Sequence, residues 1–283
     1  MSSFEVVTPG NVSELVNELK KAGKSTKLLA GGTDLVISLN EGRVKPELII
    51  DLSGIAEMKT IQEREGRVLI GACATFTEIA VNEAIKRWFY SIAEAAAGIG
   101  SKQIRNRGTI GGNIANSSPA GDMITPLVSL GASVITVNSK NTTRDIPLTE
   151  LITGVGKNIL AADEAILYVE IPVPQEERMT RFVKLGSRST VSIARLNLAV
   201  NLGFDESGKI DDAMVALGAV GTTVFSAKMA EEALLGKKIN EDTKESFAEA
   251  LAREVEKSIP GRHTLPYKRE AVKGIAYDVF ADN

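Results

Sequence analysis

Two short segments restrict this chain more than any other part of it: LLAGGTDL at 28–35 and TIGGNIANSSPAGD at 109–122. Each holds an adjacent glycine pair, where the missing Cβ atoms let the backbone turn sharply and approach a neighbour closely. An apolar, strand-like stretch leads into the first pair and a new element opens after it. A tight strand-to-helix turn therefore accounts for Gly31 and Gly32, and short glycine motifs are weakly specific for anything more. An anion site is the other reading of the same geometry. Backbone N–H groups free of side chains can converge on a negative charge, with the Thr33 hydroxyl as a further donor. The second segment lacks helix and strand periodicity, and its Gly, Asn, Ser, Pro and Asp content predicts a surface loop. Gly111 and Gly112 repeat the bare backbone in it, while Asn113, Asn116, Ser117 and Ser118 add neutral donors and Asp122 can accept from sugar hydroxyls.

The rest of the chain sets bounds. A length of 283 residues suggests about two domains. A formal net charge of -3 gives no basic surplus for nucleic acid or an anionic membrane. The N-terminus has no basic and apolar leader, and no apolar run approaches a membrane span, so the sequence predicts a cytoplasmic protein. One cysteine, Cys73, excludes an intrachain disulfide and a cysteine-ligated cluster held by this chain alone. The isolation of the one histidine, His263, argues against a histidine-ligated metal and a Ser-His-Asp triad, both of which need partners nearby in space, and its position excludes a histidyl-flavin bond in the N-terminal half; beside a helix start, it reads as a surface or capping residue. Cys73 reads as a small core residue, and Trp88 as an anchor for core or subunit contact. The basic trio Lys102, Arg105 and Arg107 fits a loop beside a diphosphate better than a nucleic-acid patch.

Helices and strands are mixed along the chain without a repeat. Asn11 and Glu14 predict a capped helix with Val12, Leu15, Val16 and Leu19 on one face. Strands are predicted at Lys27 to Ala30 and Glu47 to Asp51, with a hairpin turning at Arg64 to Gly66. Asn82 to Ala97 reads as one helix, ASVITVN and EAILYVEIPV as strands, and PVPQEER as a linker that places a boundary near residue 176. Two β-prone runs and three helical stretches follow. Two donor-rich turns in one region suit a long, bent ligand with a diphosphate and a polyol chain, which is a description of FAD.

AGGTDL, the run IGSKQIRNRGTIGGNIANSSPAGD and EAILYVEIP resemble the FAD-binding medium subunit of molybdenum hydroxylases, the family of xanthine, nicotinate and carbon monoxide dehydrogenases. The likeness covers nearly the whole chain, since RFVKLGSRSTVSIARLNLAV, AEEALLGKK and TLPYKREAV are similar to the family's C-terminal flavoprotein domain. It implies an α+β chain: a two-part FAD-binding domain of the p-cresol methylhydroxylase type over 1–175, then a smaller α+β C-terminal flavoprotein domain over 176–283. It implies that Leu28, Leu29, Ala30, Gly31, Gly32, Thr33, Asp34 and Leu35 wrap the diphosphate, and that Thr109, Ile110, Gly111, Gly112 and Asn113 form a second phosphate and ribityl loop. Asp122 falls where the family bonds the ribityl or flavin-proximal part. Ile166 matches a backbone contact to the ring, and Lys184 a lysine whose ammonium favours the anionic reduced flavin. Ile99 aligns with a position that carries an aromatic stacked on the flavin in some relatives and is aliphatic in this sequence.

By the same resemblance FAD is held without a covalent bond and no side chain serves as a catalytic acid or base. Electrons come from a small subunit with two 2Fe-2S clusters, which a large molybdopterin subunit feeds, and leave to an acceptor such as NAD+. Two other functions stand open on the residues alone: a stand-alone flavin oxidoreductase of the diaphorase kind, and an assembly subunit that has kept the fold and lost its flavin.

Overall fold

A computed structural model describes residues 4–281. The first unit is a small parallel sheet. β1 (Glu5–Val7), β2 (Thr26–Leu29) and β3 (Leu48–Asp51) pair in the order β1-β3-β2, joined by helices α1 (Val12–Leu19) and α2 (Leu35–Asn40). Asn11 starts α1 as its sequence predicts. Its side chain accepts from the Glu14 amide at 2.9 Å, which satisfies one orphan donor of the first turn, and the Glu14 carboxylate reaches back to the Gly10 amide, just before the cap, at 2.7 Å. Leu15, Val16 and Leu19 are buried beneath it. Helix α2, by contrast, buries none of its side chains.

The second unit is an antiparallel sheet of five strands. β4 (Ile61–Arg64) and β5 (Arg67–Gly71) form the expected hairpin. Six short helices follow, α3 (Phe76–Val81), α4 (Glu83–Trp88), α5 (Tyr90–Gly98), α6 (Lys102–Arg105), α7 (Ile110–Asn116) and α8 (Ile124–Ser129). Then come β6 (Ser133–Asn138), β7 (Thr143–Pro147), the turn of helix α9 (Leu148–Leu151), a minor hairpin of β8 (Ile152–Gly154) and β9 (Lys157–Asn158), and β10 (Glu164–Pro172). β10 lies at the centre of the order β4-β5-β10-β6-β7, which explains why EAILYVEIP is so apolar.

Two expectations change at this point. The helix expected over Asn82 to Ala97 is two helices, because Phe89 leaves helical geometry (φ -139, ψ 58) and turns its ring into the core, where it is 1% exposed. Burying that ring is worth about 1.5–3 kcal/mol, enough to offset the interrupted ladder. The segment expected as a loop over 109–122 contains α7. Thr109 caps it by accepting from the Gly112 amide at 3.1 Å, and Ile110 and Ile114, four residues apart, bury one face.

The C-terminal part is an antiparallel sheet in sequence order, β11 (Met179–Leu185), β12 (Leu196–Phe204), β13 (Ile210–Gly218) and β14 (Phe225–Ser226). The three expected helical stretches are α10 (Lys228–Leu234), α11 (Glu241–Ser258) and α12 (Leu265–Asp278). Both faces of β12 are covered. Leu196, Leu198, Val200 and Leu202 join the core under α10, α11 and α12, while Ala199 joins the core of the N-terminal part. On that second face the sheet meets α5 and α8. Glu94 of α5 accepts from Arg181 Nε at 3.1 Å and from the Phe182 amide at 2.8 Å, and Asn201 Nδ2 donates to the Ser129 carbonyl at 3.2 Å. The alternation of period two thus assigns each face of one strand to a different core.

Candidate functional site

A cavity of about 420 Å³ opens between the turn after β2 and the segment 108–116, with Ile166 of β10 in its wall. That volume lies within the roughly 300–1,000 Å³ of small-molecule sites. Residues Leu28 to Leu35 line it, as do Ile99, Thr109, Gly111, Gly112 and Asn113.

The glycines divide by what surrounds them. A Cβ on Gly31 would stand 2.0 Å from the Arg107 carbonyl oxygen and 2.9 Å from the Gly108 Cα, so the two glycine-rich segments lie directly against each other. Gly32 has φ +76, a left-handed conformation that favours glycine. A Cβ on Gly111 would meet Ala72 Cβ at 2.6 Å, so this glycine serves packing. Gly112 differs. Its Cβ would meet only the Thr109 hydroxyl, at 3.0 Å, and would otherwise enter the space of the cavity.

The donors are also unequal. Among the described residues, the backbone N–H groups of Gly31, Gly32, Thr33 and Asp34 have no protein acceptor. Four successive open amides make a concavity suited to an anion. The N–H groups of the second segment are taken: Ile110 donates to Ala74, Gly111 to Ala72 at 2.9 Å, Gly112 to the Thr109 hydroxyl and Asn113 to the Thr109 carbonyl. What that segment offers instead is the bare Gly112 backbone and Asn113 Oδ1, a buried acceptor without a partner. Asn116 Nδ2 reaches Asp34 Oδ1 at 3.5 Å and ties the two segments together.

Three of the expected site residues stand apart from the lining. Ile110 is fully buried in the core. Asp122 and Lys184 are brought together as an ion pair of 2.6 Å, and the Lys184 ammonium also donates to the Gly98 carbonyl at 3.1 Å, next to Ile99 of the lining. Burial pushes the Asp122 carboxyl above its ordinary value, against the opposing pull of Lys184 and Asn197.

Other lining residues were not singled out from the sequence: Leu52, Ala72, Phe76, Leu160 and Glu164. The signal for Phe76 was available, since Thr75 and Glu78 form a capping box that starts α3 there. Glu164 is 4% exposed and pairs with Arg144 at 2.6 Å, with Thr136 Oγ1 donating at 2.6 Å and the Ala161 amide at 3.0 Å. Burial alone would raise its pKa, but these hydrogen bonds outweigh burial and hold the carboxyl below its ordinary value. Cys73 also borders the cavity, with burial pushing its thiol up to about 12.

Of the remaining candidates, His263 is exposed, and Trp88 donates to Glu63 at 3.1 Å under the Arg87 guanidinium. Arg105 binds the carbonyls of Ile99 and Gly100 at 3.1 and 3.0 Å, while Lys102 and Arg107 are exposed. Among the described residues no group of three or more His, Cys, Asp or Glu could hold a metal ion, and no helix is long and apolar enough to cross a membrane.

Open amides for a diphosphate, a bare glycine edge and an orphaned acceptor for a hydroxyl or amine fit FAD. Comparison with known proteins gives the same class. Residues 2–174 match the family described as the FAD binding domain in molybdopterin dehydrogenase, and residues 181–282 match the CO dehydrogenase flavoprotein C-terminal domain. The chain belongs to the family of FAD-binding medium subunits of molybdenum hydroxylases, the oxidoreductase flavoproteins of xanthine dehydrogenase-like complexes. It is 33% identical to the nicotinate dehydrogenase FAD-subunit of Eubacterium barkeri, over 100% of this chain and 96% of the relative. It is 29% identical to the carbon monoxide dehydrogenase medium chain of Hydrogenophaga pseudoflava, over 87% and 85% of the two chains. In structure it superposes on quinoline 2-oxidoreductase from Pseudomonas putida 86 with a TM-score of 0.89 at 25% identity, covering 98% of this chain and 95% of the other.

Proposed function

We propose that the chain, as two domains of 1–175 and 176–283, holds one FAD non-covalently in this cavity and relays electrons inside a multi-subunit molybdenum hydroxylase. The observation that carries the reading is the row of four open amides at Gly31 to Asp34, packed against the Gly108–Asn113 turn. Those amides hold the diphosphate. Gly112 admits the cofactor to the backbone, and Asn113 Oδ1 receives a hydroxyl or amine donor. Leu28, Ile99, Ile104 and Ile166 supply apolar walls that exclude water. Asp122 and Lys184 stand at the edge of the cavity through Gly98 and Ile99, where the ammonium favours negative charge on the ring. Bound FAD supplies one-electron and two-electron redox chemistry.

The chain has one cysteine, and a 2Fe-2S cluster needs four protein ligands, so electrons reach it from a partner. We assign that role to a small subunit with two 2Fe-2S clusters, fed in turn by a large molybdopterin subunit, with NAD+ as the acceptor and the cytoplasm as the compartment. The preserved cradle favours this reading over an assembly subunit without flavin. Acid precipitation of the purified protein tests it: all flavin should enter the supernatant as FAD. Flavin left in the pellet, FMN in the supernatant, or substrate oxidation by the isolated chain would each refute the corresponding part.

A further inference from the structure

A buried polar row joins the two parts of the chain behind the cavity. Lys184 on β11, Asn197 on β12 and Gly218 on β13 are direct cross-strand partners and so share one face of the sheet. Asp122, just before α8, and Thr125, in its first turn, meet them from the N-terminal part. Asn197 and Thr125 are both fully buried. The Thr125 hydroxyl donates to Asn197 Oδ1 at 2.8 Å, which turns Asn197 Nδ2 toward Asp122 Oδ1 at 3.5 Å. The second carboxylate oxygen, Oδ2, accepts from Lys184 Nζ at 2.6 Å. Gly218 leaves room for this arrangement, because a Cβ there would lie 2.1 Å from Asn197 Oδ1 and 2.3 Å from Thr125 Oγ1.

An amide in such a place is costly unless its bonds are made. On the same face of β12 the next residue is Ala199, fully buried and with no polar side-chain atom to satisfy. An amide, a hydroxyl aimed at it and a glycine that clears space for both therefore point to a directional task. We infer that Asn197 is a positioning residue, which with Thr125 fixes the rotation of the Asp122 carboxylate and so the place of the Lys184 ammonium beside Gly98 and Ile99. Its consequence at the flavin rests on the proposed function; the geometry of the pair does not. The groups that face Asp122 are Lys184 from β11 and Asn197 from β12, with Thr125 acting through Asn197.

The test compares three variants. Asn197→Leu keeps most of the volume and removes the amide, and Thr125→Val removes only the hydroxyl that orients it. Asn201→Leu is the control, since its amide reaches the Ser129 carbonyl from the same strand face and touches neither Asp122 nor Lys184. In flavin-free protein, carbon NMR of the Asp122 carboxyl against pH should show its midpoint raised by about half a pH unit in Asn197→Leu, as a hydrogen bond to the charged form is gone. Thr125→Val should move it in the same direction, and Asn201→Leu should leave it at the wild-type value. In FAD-loaded protein, Asn197→Leu should lower the reduction potential in the same direction as Lys184→Met and by less. An unmoved Asp122 midpoint in Asn197→Leu and Thr125→Val overturns the inference whatever the flavin does; if Asn197→Leu does not fold, the midpoint in Thr125→Val decides. A raised midpoint with wild-type potentials in both Asn197→Leu and Lys184→Met upholds the positioning role and overturns the placement of Lys184 beside the flavin.

Discussion

Gly112→Val separates the cofactor cradle from the fold that carries it. In α7 the new side chain gains a few tenths of a kcal/mol of helix propensity over glycine. Against this stands its Cβ, 3.0 Å from the Thr109 hydroxyl that caps the helix. Disturbing such a cap costs about 1 kcal/mol. Folding stability should therefore change by less than about 1 kcal/mol, a shift in Tm of about 2–4 °C at most. The branched carbons project into the cavity, and overfilling a packed contact costs about 1–3 kcal/mol, so the Kd for FAD should rise about 5- to 150-fold. Gly111→Ala is the contrast. Its Cβ would stand 2.6 Å from Ala72 Cβ and 2.8 Å from the Ala72 carbonyl oxygen, which strains the fold with or without ligand. Fluorescence titration of flavin-free protein with FAD, beside thermal unfolding without FAD, measures both effects. Wild-type affinity in Gly112→Val would remove this backbone from the site. A melting temperature as low as that of Gly111→Ala would make Gly112 a folding glycine instead.

Lys184→Met should keep FAD bound and lower its two-electron potential, by about 30 mV if the lost attraction is worth about 1.4 kcal/mol. The shift is smaller where Asp122, already pushed up by burial, takes a proton once its partner is gone; an unchanged potential at full occupancy would place Lys184 away from the ring. Arg144→Met should cost about 1–3 kcal/mol at pH 7, because Glu164 is left buried without its cation. The folded Glu164 carboxyl lies below its ordinary value of 4.5, so its contribution is present above that pH and is lost as pH falls through the folded value. The deficit of Arg144→Met in denaturant titrations should accordingly shrink in acid, and a deficit that grows there would contradict the assignment. Amide exchange over residues 33–44 should slow at least about tenfold when FAD is added, since α2 buries none of its side chains while Leu35, Ser38 and Val44 line the cavity; unchanged exchange would mean that this segment does not close on the ligand.

Local chemistry made much of this legible in advance. The Asn11 and Glu14 cap, the hairpin at Arg64 to Gly66 and the three C-terminal helices each depend on residues a few positions apart. α7 was hidden by its composition. Glycine and asparagine lower helix propensity, and the two signals that outweigh them, the Thr109 cap and the Ile110 and Ile114 pair, span too few residues to stand out as a period. The break at Phe89 was hidden for the opposite reason, since Asn82 to Ala97 is rich in apolar and alanine residues with no Gly or Pro to mark a stop, and the ring leaves the helix for a core that other elements build.

The site shows the same division more sharply. Sequence placed bare backbone at both turns, yet it gave the two glycine pairs one task. Contacts between distant residues assign them different ones: Gly31 meets Arg107 and Gly108, Gly111 meets Ala72, and Gly112 faces the cavity. Donors divide likewise. The first turn has its amides open because no strand or cap reaches them, whereas Ala72, Ala74 and Thr109 take those of the second. In the proposed site a diphosphate would therefore lie against the open amides of Gly31 to Asp34, while the second turn would leave room and present Asn113 Oδ1. The Asp122 and Lys184 pair lies 62 residues apart in sequence, and the row that orients it is completed by Asn197 and Gly218, two residues whose meaning comes entirely from being opposite each other across β12 and β13.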